Sequence, residues 1–272
     1  MIPTFNQGRN IEPSRPPGAE RLRLISRLDV KGPNLIKGIH LEGLRKVGPP
    51  VEFATRYYED GIDEILFMDV VASLYGRSQL LDIVQATAQQ VFVPLTVGGG
   101  VRSIGDFEAL LRHGADKVAI NTAATRDPAL LQELAELFGR QSVVLSVEAL
   151  QTAPGRWEAL TDNGRERTGR DVIEWVTEAT ARGAGEVLIT SIDREGTRTG
   201  FDVELVRAVS EAVSTPVVAS GGMGSIEDLV AVAHSCALSG VAIADVLHFG
   251  RLSVHEIRRG ARDAGLDVRD SG

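Results

Sequence analysis

The sequence predicts a single (β/α)₈ barrel made of two similar half-barrels, and two observations carry that prediction. The first is self-similarity. VPLTVGGGVRSIGDFEAL at 93–110 returns as TPVVASGGMGSIEDLVAV at 215–232, a shift of about 122 residues. The same shift lays Asp63-Glu64-Ile65-Leu66 over Gly185-Glu186-Val187-Leu188, and a similar one lays Lys117-Val118-Ala119-Ile120 over Gly240-Val241-Ala242-Ile243. One glycine-rich turn would match by chance, but several segments in the same order point to a duplicated half-domain. The second observation is alternation of apolar, β-branched runs with segments of helical period, the pattern of βα units around a parallel sheet.

Eight such runs lie near 22–30, 64–70, 93–97, 117–120, 143–148, 186–190, 216–220 and 241–245. Helices fill the gaps. Asp127-Pro128, followed by Leu130, Leu131, Leu134 and Leu137, supplies a cap, a proline in the first turn and an apolar stripe. Ser103 and Ser225 start the two repeated helices in the same way. The apolar stripes of 51–59 and 80–88 are expected to face the barrel. Two equal halves close most simply into a barrel, with halves at 21–140 and 141–265; a doubly wound open sheet would leave the symmetry unexplained. Residues 1–20, rich in Pro, Gly and polar side chains, are expected to form a flexible arm, and 266–272 a tail.

Composition narrows the function. A formal charge of -8 disfavours broad nucleic-acid binding and favours a small-molecule ligand. Cys236 is the only cysteine, so no internal disulfide forms, and no Cys/His spacing suits zinc; neither metal nor other cofactor is expected. With no apolar run of signal-peptide or membrane-spanning kind, the chain is expected to be cytoplasmic, with no membrane partner.

Reactive groups of such barrels lie where strands pass into the following loops. The first run ends with Asp29 and its repeat mate, the fifth, with Glu148, which places two carboxylates on opposite sides of one mouth as a candidate acid and base. The plainer alternative is that either carboxylate caps a loop or pairs with Lys31 or Lys37. The third and seventh runs end in Gly98-Gly99-Gly100 and Ser220-Gly221-Gly222, where backbone N–H groups can approach a phosphate, and Asn121 and Thr122 supply further donors. Tight βα turns also need glycine for its own sake. Two pairs at symmetric places nevertheless suggest one anion site per half.

From about 21 to 249 the chain resembles the cyclase subunit family of imidazole glycerol phosphate synthase, of histidine biosynthesis. The resemblance is carried in order by Leu28-Asp29-Val30-Lys31, Asp63-Glu64, Pro94 to Gly100, Gly114-Ala115-Asp116-Lys117-Val118, Ile120-Asn121-Thr122-Ala123-Ala124, Thr190-Ser191-Ile192-Asp193-Arg194 and Ala219-Ser220-Gly221-Gly222. It implies that ammonia from a separate glutaminase subunit (HisH-like), docked at the N-terminal barrel face, passes through the core. There it cleaves a phosphoribosyl-aminoimidazole substrate and closes an imidazole ring, with two aspartates as acid and base. By resemblance Asp29 is the first of these. Gly99, Gly100, Asn121 and Thr122 belong to one phosphate site, and Gly196, Gly221 and Gly222 to the other. Arg23, Glu64, Lys117 and Glu186 match the charged ring through which ammonia enters; read without the resemblance, they are a salt-bridge layer closing the floor.

The departures fall on the chemistry. Glu148 stands in place of the second aspartate, and its extra methylene moves the carboxyl by about 1.5 Å. Arg27 replaces a small residue and should point the same way as Asp29, where it would either pair with Glu148 and depress its pKa or bind an anionic part of a different substrate. Glu195 replaces an aspartate and Asp245 a serine at the second phosphate site; with Lys37 they count as candidate substrate or interior contacts. Three rivals to the cyclase follow. One is a paralogue that gives ammonia to another acceptor, such as a sugar or specialised metabolite. Another is the related barrel isomerase of the same pathway, which the apparent floor ring and Asp245 disfavour. The last is a barrel that has lost catalysis and serves a glutaminase as a binding partner.

Overall fold

The computed structural model describes residues 21–70 and 77–270, and the arm expected at 1–20 lies outside them. The first half runs β1 (Arg23–Lys31), β2 (Asn34–Ile39), β3 (Glu42–Gly48), α1 (Pro50–Glu59), β4 (Glu64–Asp69), α2 (Arg77–Ala88), β5 (Leu95–Gly98), α3 (Ile104–Arg112), β6 (Lys117–Ile120), α4 (Thr122–Arg126) and α5 (Ala129–Phe138). The second runs β7 (Val143–Ala153), β8 (Arg156–Thr161), β9 (Glu166–Asp171), α6 (Val172–Ala181), β10 (Glu186–Ser191), α7 (Val203–Ala212), β11 (Val217–Ser220), α8 (Ile226–Ser235), β12 (Gly240–Ile243), α9 (Asp245–His248) and α10 (Val254–Asp263).

Strands β1, β4, β5, β6, β7, β10, β11 and β12 pair in parallel in that order, and β12 returns to β1, so the sheet is a closed (β/α)₈ barrel. Each of the eight runs expected from sequence overlaps one of these strands. The eighth stops at Ile243, and Asp245 starts α9 instead of ending a strand.

Two antiparallel hairpins, β2–β3 after the first barrel strand and β8–β9 after the fifth, were not anticipated. They occupy equivalent places in the two halves and therefore extend the internal repeat. Leu41 of the first and Leu160 of the second pack together with Ile192, which follows β10.

Burial explains the layering. One apolar compartment lies between the barrel and its helices, with Leu24, Leu28, Phe67 and Trp175 fully buried. A second fills the barrel interior, where Ile25, Leu66, Met68, Ala119, Val144, Leu188, Val218 and Ala242 pack together. Because strand side chains alternate, the residues next along the same inward face are polar: Arg23 below Ile25, and Arg27 and Asp29 above it. Helix starts follow the expected chemistry, with Ser103 and Ser225 accepting from the backbone N–H of Asp106 and Asp228.

Residues 264–270 close the ring from outside. Leu22 N–H donates to the Asp267 carbonyl at 2.8 Å, and buried Arg258 donates to Asp63 at 2.8 Å, to the Gly61 carbonyl at 2.6 Å and to the Arg269 carbonyl at 3.0 Å. Among the described residues no helix is long and apolar enough to cross a membrane.

Candidate active site

Strand order puts β1 and β7 on opposite sides of the ring, so Asp29 and Glu148 face one another across the mouth. Their surroundings differ. Asp29 Oδ1 accepts from Arg27 Nε at 2.9 Å. Burial works against its ionisation, but the Arg27 guanidinium and, beyond it, Lys37 prevail and hold the Asp29 carboxyl below its usual range. Among the described residues Glu148 has no ion-pair partner. Its Oε2 accepts from Gly164 N–H at 2.7 Å and Asn121 Nδ2 at 3.1 Å. Burial lifts its carboxyl to about 7, a rise that Arg27 and the Gly164 N–H only partly oppose.

Arg27 is 2% exposed and points, as expected, to the same side as Asp29. The expected pairing with Glu148 does not form. Residues two apart on a strand share a face and lie within reach, whereas Glu148 stands across the barrel. Arg27 Nη1 instead reaches sideways to Thr190 Oγ at 2.9 Å and Ser220 Oγ at 3.0 Å, tying β1 to β10 and β11. Lys37, on β2, pairs with Glu195 and with neither mouth carboxylate.

The glycine turns adopt backbone that other residues resist. Gly99 has φ +98°, and a Cβ there would run into the Asp69 carbonyl; Gly222 has φ +104° against the Gly200 carbonyl. Gly100 follows Gly99 with φ +67°. Asn121 spends its amide on Glu148 and on the Leu160 carbonyl at 3.0 Å, while Thr122 Oγ accepts from Asp162 N–H at 3.2 Å. Gly196, Gly221 and Gly222 line a pocket together with Arg27, Lys37, Glu195, Arg198 and Asp245.

At the opposite end of the barrel, four side chains form a closed ring of alternating charge. Arg23 pairs with Glu64 and Glu186, and Lys117 reaches Glu64 at 2.7 Å and Glu186 at 2.6 Å. Thr96 Oγ donates to Glu64 at 2.6 Å. Burial opposes the charge on Glu186, yet Lys117 and Arg23 keep its pKa low. The ring seals the floor directly beneath the apolar interior layer.

Sequence reasoning did not single out Gly164 or His248, and quoted Thr190 only within a family motif. A turn signal, Asp162-Asn163-Gly164, was present for the first. His248 is buried behind the mouth, stacks on Tyr57 and shares a 2.8 Å hydrogen bond with its hydroxyl; burial drops its pKa to about 4, so it is neutral at physiological pH.

Comparison with known sequences gives this architecture a lineage. The profile of the family described as "Histidine biosynthesis protein" matches residues 23–253, nearly the whole barrel. The chain belongs to that family. Three relatives share the name imidazole glycerol phosphate synthase subunit HisF. That of Legionella pneumophila is 63% identical over 207 residues, covering 76% of this chain and 98% of the relative. The HisF of Beutenbergia cavernae is 53% identical over 253 residues and that of Streptococcus sanguinis 44% over 247, each covering 91% of this chain and 98% of the relative. In this histidine-biosynthesis barrel, then, the floor ring, Asp29 and the glycine turns sit on a fold shared along almost its full length with HisF proteins.

Proposed function

We propose that the chain is the cyclase subunit of an imidazole glycerol phosphate synthase, an enzyme that uses ammonia to split a phosphoribosyl-aminoimidazole-type substrate and close the imidazole ring. The observation that carries this reading is the pair Asp29 and Glu148 facing each other across the mouth of a barrel whose relatives bear that name. Glu148, held by hydrogen bonds from Gly164 and Asn121, exchanges a proton with the substrate near neutral pH. Asp29 stays a carboxylate and orients the incoming nitrogen. The phosphorylated substrate is held at Gly99, Gly100, Asn121 and Thr122. Ammonia enters through the ring of Arg23, Glu64, Lys117 and Glu186. A glutaminase subunit docks on the floor face, where Phe92, at the entry to β5, is 76% exposed against Tyr58 and offers an aromatic anchor. We place the protein in the cytoplasm. The test is turnover of phosphoribosyl-formimino aminoimidazole substrate by the purified chain with ammonium salt as nitrogen donor. Imidazole glycerol phosphate is the expected product, and its absence from folded protein refutes the cyclase.

A second reading is favoured by Arg27. A cation pinned on Asp29 beneath the mouth suits a barrel that keeps the ammonia route but serves a different acceptor. Restoring Glu148→Asp with Arg27→Cys separates the two: the double variant gains ring closure if the chain is an impaired cyclase and loses its own reaction if it is adapted to another acceptor.

A further inference from the structure

The two halves carry the same backbone device at matching strand ends, but different charges. After β5 and β11, Gly99 and Gly221 take φ +98° and +95°. After β6 and β12, Asn121 (φ −122°, ψ −84°) and Ala244 (φ −130°, ψ −78°) adopt nearly the same conformation ahead of a short helix. Asp245 is therefore the structural counterpart of Thr122. One half presents a neutral hydroxyl at this place, and the other a carboxylate.

In the pocket beside the second device, the lining cations are already paired. Arg27, Lys37 and Arg198 line it, and each already has a carboxylate: Arg27 holds Asp29 at 2.9 Å, Lys37 holds Glu195, and Arg198 stands 3.6 Å from Asp245. Asp245 is held as well by Arg251 at 3.2 Å. A phosphate dianion entering here meets a carboxylate where the first half offers threonine, and finds every lining cation engaged. What the pocket does offer is a mixture of donors and acceptors: guanidinium N–H groups, carboxylate oxygens and the Ser220 hydroxyl, which together suit hydroxyl groups.

We propose that this pocket takes a neutral, hydroxyl-bearing end of the substrate and rejects phosphate, so that the substrate is anchored through one phosphate, in the first half of the barrel. The proposal rests on the second reading above, in which the acceptor differs from that of the relatives.

The experiment is an amide-resolved NMR titration of the full chain with inorganic phosphate, ribose 5-phosphate and ribulose 1,5-bisphosphate. In the wild type, the amides of Gly99 and Gly100 respond to all three ligands, phosphate leaves Gly221 and Gly222 unmoved, and the bisphosphate binds no tighter than the monophosphate. Asp245→Ser raises affinity for the bisphosphate at least tenfold, brings Gly221 and Gly222 into the response and leaves the monophosphate within twofold; Asp245→Asn gives the same direction. Saturable phosphate shifts at Gly221 and Gly222 in the wild type overturn the proposal. So does a monophosphate that fails to bind at Gly99 and Gly100, or an Asp245 pair of variants that changes nothing. The second reading fails by a separate readout, formation of imidazole glycerol phosphate in the turnover assay.

Discussion

Arg27 and Asp29 stand two residues apart on one strand and close on each other at 2.9 Å inside the barrel, while Glu148 across the mouth accepts hydrogen bonds from Gly164 and Asn121. Two carboxylates that sequence symmetry makes equivalent are thereby given different chemistry. One is held as an anion by Arg27, and the other has its carboxyl lifted by burial to about 7.

Removing the cation should expose that dependence. Arg27→Met leaves Asp29 buried with only the more distant Lys37 for support, and stability should fall by about 3 kcal/mol. Adding Asp29→Asn should recover part of the loss, since the stranded charge is gone. Urea denaturation of the two variants checks both statements; equal stability of Arg27→Met and wild type would show that the pair is not what holds Asp29.

Glu148 should make stability fall as pH rises. Its carboxyl moves from 4.5 in the unfolded chain to about 7 when buried, so between those values the unfolded state loses a proton that the folded state keeps. The stabilisation present below pH 4.5 is lost as pH climbs to about 7, by an amount on the order of 3 kcal/mol. Glu148→Gln, which keeps an acceptor for Gly164 and Asn121, should flatten that part of the profile. Denaturation midpoints measured across this range supply the comparison.

Lys117 closes the floor ring between Glu64 and Glu186. Lys117→Met should alter turnover supported by glutamine and the glutaminase, yet leave turnover with ammonium salt within about twofold, because external ammonia reaches the mouth without crossing the floor. Phe92→Asp should produce the same split by weakening the docked partner. Parallel assays with the two nitrogen sources test this, and equal losses in both would remove the floor from the ammonia route.

Much of this architecture is legible in the sequence because parallel barrel strands are covered on both faces and read as apolar runs, so that a polar residue at a run's end stands out. Asp29 and Glu148 were found that way, whereas the floor quartet came from the family resemblance. The hairpins were not. β3 is Glu-Gly-Leu-Arg-Lys-Val-Gly, partly exposed on both faces, and carries no clean two-residue period. The choice of partner for Arg27 was equally hidden: alternation tells which face a side chain takes, but not which of two carboxylates on that face lies within hydrogen-bond reach. The raised pKa of Glu148 comes from its burial, against the opposing Gly164 amide of the unseen β8–β9 turn, and neither could be read from residue types alone.

The most direct test of this division of labour is a carboxyl titration, following the side-chain ¹³C resonances of Glu148 and Asp29 in the intact chain. The account predicts one carboxyl changing charge near pH 7, absent in Glu148→Gln, with Asp29 remaining ionised to below its ordinary range. Glu148 titrating near 4.5, or Asp29 taking up a proton near neutrality, would contradict it.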